Sequence, residues 1–198
     1  MAKSLRLAAG ASGFTLIELI VTITVAAILL TLAIPSFESV INSNRLTAAA
    51  NEMMASLQTA RMESIRRGRH TVLCLSDKPE ELMPKCDAAT NARGWAVFRD
   101  DNKDGSAESA DVVRATTFHQ RVQATASPLF GARVSFRADG LAYDASGNLL
   151  AGSIAFCIPT RRPAENIRYV NIGSGSRVSI SRGNGNGACP GSIGDNNP

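Results

Sequence analysis

The sequence predicts an α+β fold in which one long N-terminal helix packs on an antiparallel β-sheet or β-sandwich. The first observation is an apolar run at residues 14–34, continued to Gly68 by apolar residues at helical spacing. The second is a series of short runs rich in β-branched and aromatic residues from His70 onward, divided by Gly, Pro, Asn and Asp. The 198 residues suffice for one folded domain and an additional segment, but are short for two full domains.

The apolar run at residues 14–34 predicts a membrane-spanning helix. As a helix, FTLIELIVTITVAAILLTLAI is long enough to cross a hydrocarbon core of about 30 Å. A leader at residues 1–13 precedes it, carries Lys3 and Arg6, and ends in small residues. A secretory signal is cleaved after its apolar stretch, whereas removal of this leader leaves the helix on the mature chain. The positive-inside rule keeps Lys3 and Arg6 in the cytoplasm, so the residues beyond Ile34 are expected to be exported.

One charge, Glu18, interrupts the apolar run. A carboxylate is costly in lipid, so an intramembrane glutamate is a functional candidate. Cleavage after Gly13 creates an amino group on Phe14, about one helical turn away, which can pair with Glu18 of the same or a neighbouring subunit. The alternative is a carboxylate that reaches the membrane interface near the helix end.

The heptapeptide GFTLIEL, residues 13–19, resembles the prepilin peptidase recognition sequence of type IV pilins and type II secretion pseudopilins. The resemblance implies cleavage after Gly13, N-methylation of Phe14 by the prepilin peptidase/methyltransferase, and a role for Glu18 in assembly. Pro35 lies where pilins have a helix-kinking proline. The implied partners are other pilins, contacted through the N-terminal helix, and the inner-membrane assembly machinery. The implied location is the inner membrane, with a periplasmic C-terminal domain, and then a filament outside the cell or a periplasmic pseudopilus.

Residues 35–68 predict an amphipathic continuation of the helix, with Gly68 as its C-cap. Its apolar stripe is expected to cover a sheet and comprises Phe37, Val40, Ile41, Leu46, Ala50, Met53, Met54, Leu57, Ala60 and Ile65. Residues 69–198 predict a β-rich domain, with strands within 70–76, 94–100, 112–118, 132–138, 152–158, 168–173 and 176–182.

The four cysteines predict disulfide bonds, since no CxxC pair or His at metal-ligand spacing indicates a zinc site. Such bonds persist in the oxidising compartment that an exported chain enters. Three pairings can be drawn. We favour Cys74 with Cys86 and Cys157 with Cys189, because each closes a local loop between neighbouring predicted strands.

Within the β-rich half, RGWAVFRD at residues 93–100, DNKDG at 101–105 and the late Cys157 and Cys189 resemble the GspH/FimT family of minor pilins. The resemblance implies a low-copy subunit near the tip of a type IV pilus that helps to start assembly. A type II secretion pseudopilin of the same family is the alternative, and genomic neighbours would separate the two.

Oxygen-bearing residues alternate at Asp100, Asn102 and Asp104, and Gly105 follows, as at the start of a calcium-binding loop. Position twelve is Asp111 rather than Glu, and strands rather than helices are predicted on both sides. We therefore interpret the segment as an Asx-rich hairpin turn and predict no metal site and no cofactor.

Arginines are frequent near the C-terminus, where Arg168, Arg177 and Arg182 are candidates for contact with a DNA phosphate backbone. Some FimT-type relatives bind DNA through a Gly-Arg-x-Arg motif, whose spacing the stretch GSRVS at 175–179 lacks. A DNA receptor at the filament tip is thus a second hypothesis, and a solvated basic face is its alternative; the net charge of +4 does not by itself indicate nucleic acid. His70 and His119 lie in no nucleophile motif, so we predict no enzyme activity.

Overall fold

The computed structural model describes residues 13–87, 90, 92–108 and 111–195, without the side chains of residues 32–35. Apart from Gly13, the predicted leader lies outside the described residues, as does the side chain of Pro35. The chain forms two compact units, residues 1–37 and residues 38–198.

The helix α1, Leu16–Arg67, supplies the described regular structure of the first unit and the first element of the second. It ends in a Schellman motif. Gly68 has a φ of 66°, the Gly68 N–H donates to the Ile65 carbonyl (3.4 Å), and the Arg69 N–H donates to the Ser64 carbonyl (3.2 Å). The predicted C-cap at Gly68 is therefore present, and two of the last carbonyls of the helix are satisfied.

Two antiparallel sheets follow the helix. The described residues form nine strands: β1 Thr71–Ser76, β2 Gly94–Arg99, β3 Val112–Thr117, β4 Gln123–Ala126, β5 Arg133–Phe136, β6 Ala142–Tyr143, β7 Gly152–Cys157, β8 Ile167–Ile172 and β9 Val178–Gly183. The first sheet has the spatial order β3-β2-β1-β5-β6 and the second β4-β7-β8-β9.

The main core of the second unit lies between α1 and the inner faces of both sheets. It includes Leu46, Met53 and Leu57 from α1, Leu73, Trp95 and Val134 from the first sheet, and Ile154, Phe156 and Val170 from the second. The Trp95 indole N–H donates to the Ser56 hydroxyl of α1 (2.8 Å), which satisfies a buried polar group. Each sheet therefore buries one face against the helix and the other sheet.

The outer face of each sheet carries a smaller apolar cluster. On the first sheet it comprises Val72, Cys74, Phe98 and Ala107, and on the second Ala155, Cys157, Ile167 and Ile193. Ala107 belongs to the loop between β2 and β3, and Ile193 to the C-terminal segment. Irregular segments thus cover both outer faces.

The predicted α+β fold class is confirmed. All seven predicted strand runs contain a strand, whereas β4 and β6 were not predicted. The expectation that the apolar stripe of α1 covers a sheet is correct between Leu46 and Ala60. It is wrong at Phe37, Val40, Ile41 and Ile65, whose side chains are exposed.

Candidate functional site

The first turn of α1 holds the predicted processing and assembly residues. Thr15 is the N-cap residue, and its hydroxyl oxygen accepts the N–H of Glu18 (3.3 Å). Glu18 is the third helical residue, where a carboxylate interacts favourably with the positive end of the helix dipole. Phe14 and Glu18 are both exposed. Sequence reasoning missed Thr15, although the pattern Thr-x-x-Glu is the signature of a capping box.

The apolar side chains that follow are also exposed. α1 is long and apolar enough to cross a membrane, and its most apolar stretch is not buried in the structure. Its threonine hydroxyls donate to main-chain carbonyls one turn back: Thr22 to Leu19 (2.8 Å) and Thr24 to Ile20 (2.7 Å). Because these hydroxyl groups form hydrogen bonds within the helix, their transfer to an apolar environment has only a small free-energy penalty.

The three predicted DNA-contacting arginines lie in different environments. Arg168 is buried, and its guanidinium donates to the carbonyls of Glu165 (2.9 Å) and Ile167 (3.0 Å) and to the Ser43 hydroxyl of α1 (3.3 Å). Burial, and then the charge of neighbouring Arg182, lower the pKa of Arg168. Its head group is therefore engaged inside the fold, and it does not share an exposed surface with the other two.

Arg182 lies opposite Arg168 in the β8–β9 register, and a carboxylate sits beside the pair. Arg182 Nη1 is 3.3 Å from Glu165 Oε2, and both side chains are more than half exposed. Arg177 is exposed in the turn before β9. Of the three candidates, only Arg177 and Arg182 therefore present accessible positive charge, and Glu165 partly compensates the charge of Arg182.

The cysteines form two disulfides, Cys74–Cys86 and Cys157–Cys189, with Cα–Cα distances of 5.0 and 5.6 Å. The second ties the C-terminal segment to the outer face of the second sheet. Three side chains of the domain also hold that segment in place by donating hydrogen bonds to its main-chain carbonyls: Thr125 to Pro190 (3.2 Å), Ser153 to Gly194 (2.8 Å) and Asn166 to Ala188 (3.1 Å).

No catalytic set appears among the residues that the structure describes. His70 is half-buried, and burial, followed by the charges of Lys103 and Arg137, lowers its pKa. His119 accepts the Arg121 N–H at Nδ1 (3.1 Å). Within the same part of the chain, no three His, Cys, Asp or Glu side chains form a group able to hold a metal ion.

Two family models match the sequence. The model described as "Type II transport protein GspH" matches residues 49–185, and the "Prokaryotic N-terminal methylation motif" matches residues 9–34. No curated protein matches significantly.

Solved structures of two pilin-like proteins are similar to this chain. Two crystal forms of the type IV minor pilin FimU from Pseudomonas aeruginosa PAO1 are each 18% identical to it. The match to one crystal form has a TM-score of 0.48 and covers 70% of this chain and 90% of the FimU chain. The match to the other has a TM-score of 0.46 and covers 69% of this chain and 92% of the FimU chain. The minor pseudopilin EpsH of the Type 2 Secretion System of Vibrio cholerae is 10% identical, with a TM-score of 0.48, 70% coverage of this chain and 97% of its own.

Proposed function

The chain belongs to the GspH family of pilins and pseudopilins, and from this premise we propose that it is a minor type IV pilin that helps to initiate the filament and lies near its tip. The proposal rests mainly on the start of α1, where the capped first turn with Thr15 and Glu18 is followed by a long stretch of exposed apolar side chains. Members of the family are structural subunits, and the N-terminal methylation motif is the substrate of prepilin peptidase.

The uncovered helix supports a subunit that moves from membrane to filament. Side chains such as Leu16, Ile17 and Leu29 are more than 60% exposed, an arrangement that water disfavours. Lipid satisfies these surfaces before assembly, and the same helices of neighbouring pilins satisfy them afterwards. We accordingly place the unassembled subunit in the inner membrane, with residues 69–198 in the periplasm.

Glu18 supports a defined position of the subunit in the filament. Cleavage after Gly13 leaves a positive amino group on Phe14, and Glu18 is the nearest carboxylate along the helix. Two unit charges 4 Å apart attract by about 4 kcal/mol at an effective dielectric constant of 20. A pair between Glu18 of one subunit and Phe14 of the next would therefore favour one axial register over others.

Two variants separate this charge role from helix capping. Glu18→Gln retains a residue that can cap the helix but removes the charge, and Glu38→Gln removes a charge from the same helix beyond the apolar run. In a strain lacking the chromosomal gene, the wild-type chain and Glu38→Gln should restore pili and twitching, whereas Glu18→Gln should be processed normally and yet poorly incorporated.

Three results would contradict the proposal. Mass spectrometry that finds the mature chain beginning before Phe14 excludes the processing step. Normal incorporation of Glu18→Gln excludes the charge pair. Loss of secretion of folded enzymes, with twitching intact, would assign the chain to a type II secretion system instead.

The DNA-receptor hypothesis gains no support from the geometry, because Arg168 is engaged inside the fold and Arg182 is paired with Glu165. Titration of the detergent-solubilised chain with duplex DNA at two salt concentrations tests it. A complex that weakens with salt and with Arg177→Ala would support a receptor, and no complex at low salt ends the hypothesis.

A further inference from the structure

A cavity of about 240 Å³ lies on the outer face of the first sheet, where the β2–β3 loop meets the turn after β6. Strand β5 forms one of its walls. Arg133 and Ser135 alternate along β5 with the core residues Val134 and Phe136, so their side chains lie on the outer face. Arg137 follows the strand and also lines the cavity, which therefore contains two arginines from one segment.

The β2–β3 loop adds a third permanent cation, Lys103, to the cavity. The Asp104 N–H donates to Asn102 Oδ1 (3.2 Å) and the Ser106 N–H to Asp104 Oδ1 (2.7 Å), so the loop is the Asx-rich turn that the sequence predicts. Lys103 lies within this turn with a φ of 63°. Its side chain forms no ion pair or hydrogen bond within the part of the chain that the structure describes.

Two glycines allow the arginines to take their positions. Arg133 Nη1 donates to the Gly105 carbonyl (3.4 Å), and a side chain at Gly105 would collide with the same guanidinium. Arg137 Nη2 donates to the Gly147 carbonyl (3.4 Å), and its Cζ lies 3.6 Å from the centroid of the Tyr143 ring. A guanidinium has five N–H donors, so each arginine is held in place and still has donors left for a ligand.

Two carboxylates, Asp100 and Asp144, also line the cavity, and the main chain holds both. Asp100 is only 4% exposed, and its Oδ2 accepts the Gly105 N–H (3.0 Å). Asp144 Oδ1 accepts the N–H groups of Ser146 and Asn148 (both 2.9 Å). Neither forms an ion pair with a cation of the described residues, so the two carboxylates leave the three cations free to meet an anion.

The imidazole of His70, which lines the same cavity, responds to this excess of positive charge. Burial lowers the pKa of His70, and the charges of Lys103 and Arg137 lower it further, whereas Asp100 and Asp139 raise it by less. The electrostatic potential at His70 is therefore positive although carboxylates lie nearby.

We propose that this cavity binds a phosphate group through the side chains of Lys103, Arg133 and Arg137. A phosphate carries up to two negative charges and presents at least three strong acceptor oxygens, which suits two planar guanidinium groups and an ammonium group. The cavity is smaller than ordinary ligand pockets, which measure about 300–1,000 Å³, so it suits one small group. Because Asp100 and Asp144 oppose the anion, the affinity should be modest and should fall as the ionic strength rises.

The test is calorimetric titration of the full chain in a non-ionic detergent, in a phosphate-free buffer of low ionic strength at pH about 8, where phosphate is a dianion. Inorganic phosphate should fill one saturable site, and acetate, with one charge and two oxygens, should bind at least about tenfold more weakly. Glycerol 3-phosphate separates two sources of the group. Binding as tight as that of inorganic phosphate assigns the end of a phosphate monoester, and clearly weaker binding assigns free phosphate.

Variants show whether the cavity is responsible. Lys103→Gln and Arg137→Gln each remove one charge-assisted interaction and should weaken phosphate binding by at least about tenfold. The fold does not depend on the side chain of Lys103, which has no partner within the described residues. The matched control is Arg177→Gln, which removes the same charge from an exposed position before β9 in the other sheet and should leave binding unchanged.

A second readout comes from the histidines, since His70 and His119 are the two in the chain. In an NMR titration, saturating phosphate should raise the pKa of His70, because a bound anion offsets the charges of Lys103 and Arg137. The pKa of His119, which lies outside the cavity, should not change.

Four results would overturn the proposal: no saturable phosphate binding up to about 10 mM, equal binding of acetate, equal losses for the Lys103 and Arg177 variants, or equal changes in the pKa of both histidines. None of these measurements involves filament assembly, so the proposed function is tested separately.

Discussion

The two disulfides close loops of different length, which gives a quantitative prediction about the stability of the domain. Cys74 and Cys86 are 12 residues apart, and Cys157 and Cys189 are 32 apart. The perturbation is the replacement of each pair by alanine, so that no unpaired thiol remains. Cys74 and Cys157 are both nearly fully buried, so the two variants lose similar apolar contacts and differ chiefly in the length of the released loop.

The expected magnitudes follow from the entropy that each cross-link removes from the unfolded chain. With loops of 12 and 32 residues, that entropy corresponds at 25 °C to about 2.8 and about 3.7 kcal/mol, respectively. Loss of Cys157–Cys189 should therefore lower the free energy of unfolding by about 0.9 kcal/mol more than loss of Cys74–Cys86.

Urea unfolding of the full chain in detergent, followed by tryptophan fluorescence, measures this difference. Trp95 is the single tryptophan and is fully buried in the core, so its emission reports the folded domain rather than the exposed apolar part of α1. Of the two double variants, Cys157→Ala/Cys189→Ala should have the lower urea midpoint. It should also have the steeper transition, because opening the longer loop leaves a more expanded unfolded chain that exposes more surface. An equal or larger loss for the Cys74/Cys86 pair would refute the loop-length reasoning.

Three further predictions concern single side chains in the same urea assay. Arg168→Met should destabilise the domain by about 2–4 kcal/mol, because it leaves buried carbonyls unpaired, whereas Arg182→Met should change the stability by less than about 1 kcal/mol; equal losses would contradict the burial of Arg168. Ser56→Ala should cost about 1–3 kcal/mol by leaving the Trp95 N–H unsatisfied, and an unchanged midpoint would argue against that bond. The pKa of His70 is lower in the folded chain than in the unfolded chain, so below pH about 6.5 the unfolded chain binds a proton at His70 more readily than the folded chain does. The free energy of unfolding should therefore fall as the pH drops below about 6.5, and His70→Gln should make this fall smaller.

The sequence predicted those helices and strands whose own run of residues is typical of the element that they form. The strands around Val72 and Phe98 lie in runs of β-branched and aromatic residues, and Gly68 ends an apolar helical stripe. The strand β4, with the sequence QATA, has one β-branched residue and exists because it pairs with β7. The strand β6 has two residues and forms by pairing with β5. Tertiary pairing, which a local pattern does not contain, accounts for both omissions.

The environment of the charged candidates could be read from the sequence only in part. The Thr15-x-x-Glu18 capping pattern is visible in the letters. In contrast, the burial of Arg168 depends on Ser43, 125 residues away, and on carbonyls that turn toward it in the fold. The unpartnered Oδ1 of Asp100 likewise depends on how the loop closes over the first sheet. Sequence reasoning therefore found these charges but not their partners.

The geometry of the first turn connects the proposed processing step with the position of Glu18. The proposed cleavage after Gly13 would retain Thr15, so the mature helix would keep its N-cap and begin at Leu16, two residues beyond the new terminus. The amino group on Phe14 then adds a positive charge at the end of the helix that is already positive, which is unfavourable in lipid. Glu18, in that first turn, is a carboxylate near enough to offset both charges. In the proposed membrane-embedded subunit, this offset would account for an acidic residue in the apolar run, and in the proposed filament the same carboxylate would be available to a neighbour's amino group.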